Sequence, residues 1–219
     1  MRAPDARSAW AELPDCWQVA FEQAWSSWRS GSAGVGAVVT DADGAIVTRG
    51  RSRVLDAVDG TSPLAGTFMA HAEMNALACL PVGDYTGYTL YTTFEPCLMC
   101  AGTIRLYGLP HVMYAADDPV WDGLHDTFAG IPAVARRLAT RSRLGGPFGA
   151  FAHVLHLAFL LTWAPEPVLA AHASLAPGHV RVAMDLVGSG DLRALSDAGR
   201  TVVDAAEASW PEMVTLADG

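Results

Sequence analysis

His71 and Glu73, two positions apart, and Cys97 and Cys100, three apart, are the residues of this chain whose types and spacing can do chemistry together. An imidazole and two thiolates make three zinc ligands, and a catalytic zinc site takes three protein ligands and keeps the fourth position for water. Pro96 before Cys97 marks a helix start, where a missing amide donor costs nothing. Cysteines three apart on the first turn of that helix share a face, and the helix N-terminus favours the thiolate that zinc requires. Glu73 is left over once the ligands are counted. A carboxylate there suits a proton shuttle for a water that zinc has acidified to a pKa of about 7. Each piece alone has a plainer reading: a helical His is ordinarily a satisfied polar residue, and Cys-x-x-Cys also serves redox pairs and closed structural zinc sites. Cys16 and Cys79 are the two further thiols that could close such a site. Cys79 lies two turns along its helix from His71 and Cys16 in or before the first helix, so the joint pattern favours an open, catalytic metal site.

The elements that must hold these residues can be read from periodicity. Trp17, Ala20, Phe21, Ala24, Trp25 and Trp28 recur at helical spacing over residues 15–29 and predict an opening helix. Residues 35–40 and 45–53 read as strands joined by the turn Asp41-Ala-Asp-Gly44. A Gly-, Ser- and Pro-rich loop leads to a second helix over 71–80, ended by Pro81 and Gly83. Residues 88–93 form a third strand, 97–107 a third helix and 111–115 a fourth strand, an alternation that implies an α/β layered domain over residues 1–128. Residues 129–219 are Ala- and Leu-rich, with helical patterns near 132–143, 149–163 and 191–209; they are expected to form a mainly helical C-terminal extension packed on the core or on a partner subunit.

Composition narrows the partners. The 219 residues carry a net charge of −9, and all 14 basic residues are arginine. Such an acidic balance argues against a large nucleic-acid interface, which needs a basic surface. Four cysteines are too few for a disulfide framework. The N-terminal residues lack the apolar core of a signal peptide, and the run Phe148–Trp163, interrupted by His153 and His156, reads as a buried helix rather than a membrane span. A cytoplasmic location without membrane association is the expectation.

His71-Ala-Glu-Met-Asn-Ala-Leu77 and Thr93-Phe-Glu-Pro-Cys-Leu-Met-Cys-Ala-Gly102 resemble the cytidine/deoxycytidylate deaminase superfamily over roughly residues 15–128, and most closely its branch of guanine, cytosine and tRNA adenosine deaminases. Glu95 immediately before Pro96-Cys97 is characteristic of that branch. The resemblance implies a three-layer α/β/α sandwich around a mixed five-stranded sheet, a Zn2+ cofactor held by His71, Cys97 and Cys100, and dimers or larger assemblies. It also implies the reaction. Water attacks the amidine carbon of a heterocycle, Glu73 moves the protons, and the exocyclic amine leaves as ammonia. One departure matters. The branch ends its second strand with an Asn that bonds the base, whereas Ser52 stands there, and the one Asn of the chain is Asn75.

Other candidate substrate contacts are Glu95, Phe68 and Phe94, the two phenylalanines being placed equally well to wall a base pocket or to pack the core. Asp117 and Asp118 follow the fourth strand where guanine deaminases hold an acidic residue near the purine, though turns also favour Asp. Trp121 is a candidate stacking lid. The substrate expected is a small purine- or pyrimidine-like base or nucleoside. A deaminase of tRNA or another single-stranded nucleic acid and a non-catalytic zinc-binding module are the alternatives.

Overall fold

In the computed structural model, residues 4–58, 60, 62–136, 139–163 and 166–217 are described. The chain opens with α1 (Ala6–Ala11) and α2 (Asp15–Arg29), then forms β1 (Gly36–Thr40), β2 (Ile46–Arg51), α3 (Ala72–Leu77), β3 (Thr89–Phe94), α4 (Leu98–Tyr107) and β4 (His111–Ala116). After a 3-10 turn at Pro119–Trp121 come α5 (Leu124–Ala129), α6 (Pro132–Ala135), β5 (Thr140–Arg143), α7 (Gly146–Trp163) and α8 (Glu166–Leu175). The chain continues through α9 (Pro177–Ser189), α10 (Asp191–Asp197), α11 (Val202–Glu207) and α12 (Trp210–Ala217). The strand order is β2-β1-β3-β4-β5, antiparallel across β2, β1 and β3 and parallel across β3, β4 and β5. It is the mixed five-stranded sheet that the resemblance implies.

Local chemistry sets these elements. The apolar stripe of α2 is buried along its whole length, at Trp17, Ala20, Phe21, Ala24, Trp25 and Trp28. In the β1–β2 hairpin the Asp41 carboxylate accepts the amides of Asp43 and Ala45, and Gly44 takes the positive φ of 82° that closes the turn. Two glycines bring the helical layers close to the sheet on opposite faces. A Cβ on Gly36 would stand 2.1 Å from the Ala20 carbonyl oxygen of α2, and one on Gly50 would stand 2.3 Å from the Ala72 carbonyl oxygen of α3. So α2 covers one face, joined there by α7 through Phe21 and Phe148, and α3 with α4 covers the other.

The segment read as helical over 132–143 is corrected here: its end is β5, which pairs in parallel with β4. The sheet is therefore completed beyond residue 128. Thr-Arg-Ser-Arg is an edge strand with one neighbour and little burial, so it has no apolar alternation by which to announce itself. Helix α7 is long and apolar enough to cross a membrane by length and composition, yet 67% of it is buried inside the protein, against β3 and β4 and beneath α9 and α12. It is the second core helix of the sheet.

Gly50→Ala tests how tightly the second layer is docked. The added methyl meets backbone atoms on both sides, the Ala72 oxygen and the Ala76 nitrogen at 2.5 Å, so α3 must shift. Overpacking of this kind costs about 1–3 kcal/mol, or roughly 2–12 °C in Tm for a chain of this size. Because His71 caps α3, zinc content after dialysis is expected to fall with the melting temperature. A variant with unchanged Tm and zinc content would show that α3 has slack.

Candidate active site

Both helices that carry the motif begin on a ligand. His71 is the N-cap of α3 and Cys97 the N-cap of α4, and neither side chain caps its own helix, so each is free to turn toward the other. Cys100 follows on the first turn of α4 and is fully buried. His71 Nδ1 lies 3.5 Å from Cys97 Sγ and 3.6 Å from Cys100 Sγ, and all three donor atoms lie within 4.8 Å of one another. Zinc–sulfur and zinc–nitrogen bonds of usual length set a tetrahedral N–S edge of about 3.6 Å. The trio therefore fits a zinc ion that keeps one position open.

The electrostatics prepare one thiolate, that of Cys97, for a cation. The Cys97 thiol is drawn down to about 4, first by the hydrogen bond from Cys100, then against burial by His71. The Cys100 thiol is raised by that same bond and by burial. Burial pulls the His71 imidazole down, but Cys97 and Glu73 outweigh it and raise it. Glu73, on the first turn of α3, is buried with its Oε2 3.5 Å from Cys100 Sγ and its Oε1 accepting from Thr92 Oγ1 of β3 at 3.4 Å. Burial pushes its carboxyl up. A carboxyl with raised proton affinity beside a metal trio is equipped to take and return protons.

His71, Glu73 and Cys97 line a cavity of about 380 Å³ at the carboxyl ends of the parallel strands β3 and β4, where open α/β sheets hold ligands. Residues 12–116 match the family described as the cytidine and deoxycytidylate deaminase zinc-binding region. That stretch belongs to the cytidine and deoxycytidylate deaminase family. Among its relatives are a cytosine deaminase of Candida albicans, 32% identical over 44% of this chain and 61% of that one, and a guanine deaminase of Bacillus subtilis, 38% identical over 42% and 58%. A tRNA-specific adenosine deaminase of Streptococcus pyogenes is 30% identical over 51% of this chain and 62% of that one. The chain thus spans about three fifths of the length of each.

Of the substrate contacts expected from the sequence, Ser52, Phe68, Phe94, Glu95, Asp118 and Trp121 all line the cavity of the deaminase region. Ser52 is buried and its Oγ has no hydrogen-bond partner among the described residues. Phe94 is buried against His156, with ring centroids 4.4 Å apart, whereas Phe68 is 73% exposed at the cavity's edge and touches Trp163. Glu95 borders the cavity, but its carboxylate is engaged within the protein: one oxygen accepts the Asp118 amide at 2.9 Å and the other pairs with Arg141 of β5. That pair ties the metal loop to the two neighbouring strand ends. Burial, with Glu95, Cys97 and Glu73 nearby, pushes the Asp118 carboxyl up to about 7.

Asp117 is corrected. It is exposed, pairs with Arg143 at 2.5 Å and lies outside the cavity, because consecutive residues after a strand point to opposite sides. Arg51 and Arg53 are likewise taken up at Asp56, at 2.6 and 2.9 Å. Asn75 faces the backbone, donating to the carbonyls of Arg51, Ala70 and His71, and so pins β2 and the ligand loop to α3.

The cavity also has a wall that sequence reasoning missed: His156, Phe159, Leu160 and Trp163 of α7, with Val168 and His172 of α8, all beyond the family match. The signal was present. A core helix that is apolar all round has no use for His153 and His156 unless something polar meets them.

Proposed function

We propose that this chain is a zinc-dependent hydrolytic deaminase that converts the exocyclic amine of a purine- or pyrimidine-like base or nucleoside to a carbonyl and releases ammonia. The carrying observation is the Glu73 carboxyl, which lines a cavity of about 380 Å³ and is buried against the His71, Cys97 and Cys100 trio. His71, Cys97 and Cys100 hold the ion. Zinc, when bound, supplies Lewis acidity that brings the pKa of water into the neutral range. Glu73 takes a proton from the attacking water and gives it to the ring nitrogen. It then takes the remaining proton from the added hydroxyl and passes it to the amine, which leaves as ammonia while the carbon keeps the water's oxygen as a carbonyl. Thr92 holds the carboxyl in place for both transfers.

The surroundings support a small, phosphate-free substrate. Among the described residues no arginine lines the cavity, so it offers no guanidinium to a phosphate. The remaining wall is largely aromatic and aliphatic, suited to the faces of a heterocycle. The test is ammonia release by the zinc-loaded chain from a panel of amino-bearing bases, nucleosides, nucleotides and pterins and a tRNA stem-loop. Turnover of a base or nucleoside is expected. Turnover of the stem-loop alone would establish a nucleic-acid deaminase instead, and silence across the panel with one zinc per chain would leave the zinc-binding module.

A further inference from the structure

We propose that His156, on α7 outside the family match, is a specificity residue that donates a hydrogen bond from Nε2 to an acceptor on the ring edge of an uncharged amino-heterocycle; this rests on the small-molecule deaminase reading above.

The argument begins with an orphaned polar group. His156 borders the cavity, its ring tilted by 33° against Phe94 with centroids 4.4 Å apart, and its Nδ1 is buried without a hydrogen-bond partner among the described residues. No described residue bonds the ring's other nitrogen. An imidazole left unsatisfied in an apolar wall costs about 1–3 kcal/mol; Nδ1 is sealed off, so a ligand can relieve that cost only at Nε2. The neighbouring imidazoles are not in this position: His153 Nε2 and His172 Nδ1 bond each other at 3.2 Å.

The tautomer follows from burial. A buried orphan N–H is rarer and costlier than a buried orphan acceptor, so the proton belongs on Nε2 and Nδ1 stays bare. Burial, with His172 and His71 nearby, holds the imidazole down to about 3, so at neutral pH it is a neutral donor. A neutral donor selects an acceptor such as a ring carbonyl or ring nitrogen and gains nothing from a phosphate. It can therefore supply one contact of the kind that a carboxamide at Ser52 would have made. Ser52, itself buried and without a partner among the described residues, is too short to make it alone.

The test is equilibrium dialysis of the zinc-loaded chain with two matched pairs, guanine against 2-aminopurine and cytosine against 4-aminopyrimidine, each differing by one ring carbonyl. With His156 in place the chain is expected to bind the carbonyl member of at least one pair about tenfold more tightly, the size of one buried hydrogen bond. His156→Phe should remove that preference by weakening the carbonyl member alone, and His156→Gln, which keeps an N–H donor, should restore part of it. Equal weakening of both members would make His156 a packing residue and overturn the proposal, as would an unchanged preference or none with His156 in place. Binding is read in the Glu73→Gln background so that the ligands survive the dialysis, and ammonia release is read separately with Glu73 in place. A chain that shows the preference but releases no ammonia refutes the deaminase reading alone, and one that releases ammonia without the preference refutes only the role of His156.

Discussion

Glu73→Gln is expected to lower ammonia release by about 10²–10⁴-fold, the usual worth of a general acid/base, with one zinc still bound per chain and the fold unchanged. The substitution keeps the shape of a side chain that is 3% exposed, and its amide can still meet Thr92. It removes only the capacity to accept a proton from water and return it to the amine. Because that exchange occurs in the transition state, kcat and kcat/KM should fall together while substrate affinity stays near the wild-type value. Zinc content by atomic emission and far-ultraviolet circular dichroism separate this result from damage. Loss of zinc, unfolding or full activity in the variant would each remove Glu73 from the proposed chemistry.

How far the sequence foretells this site depends on how local each signal is. The opening helix runs over the residues its apolar spacing marks, and the two ligand-bearing helices start within a residue of where Pro96 and the His-x-Glu pattern place them. N-caps and periodicity are short-range, and so are the metal motifs built on them. Ser52, marked by the resemblance rather than by spacing, lies in the cavity wall just after a readable strand. Strand β5 was not legible, because Thr140–Arg143 sits at a sheet edge and is held by pairing with β4 rather than by burial of an apolar face. The far wall of the cavity lay further from view. His156 reaches Phe94 across 62 residues of sequence, and nothing in the spacing of either residue names the other. Histidines inside an apolar helix do mark an anomaly, and only the packing of α7 over the ends of β3 and β4 says what it is for.

The same locality predicts how the protein behaves without metal. Chelation is expected to abolish turnover reversibly while the sheet and helices stay folded. The three donors are placed by the core and do not rely on the ion to gather them. His71 caps a helix docked on Gly50 and pinned by Asn75, and Cys97 caps one anchored by the buried Ala101 and Ile104. Small zinc domains that lack such a core unfold when the metal is removed, because binding supplies their folding energy. Here zinc adds stability only by mass action, about 2.7 kcal/mol at a hundredfold excess over Kd, or roughly 5–11 °C in Tm for a chain of this size. Cys97→Ala should hold the protein in that metal-free condition: folded, close to zero zinc after dialysis, and inactive, with added zinc restoring the chelated wild type and not the variant. Circular dichroism, zinc content and ammonia release on the same samples read all three. Unfolding of the wild type by the chelator would make the metal part of the scaffold and would turn the isolated carboxyl of Glu73 into a feature that catalysis does not explain.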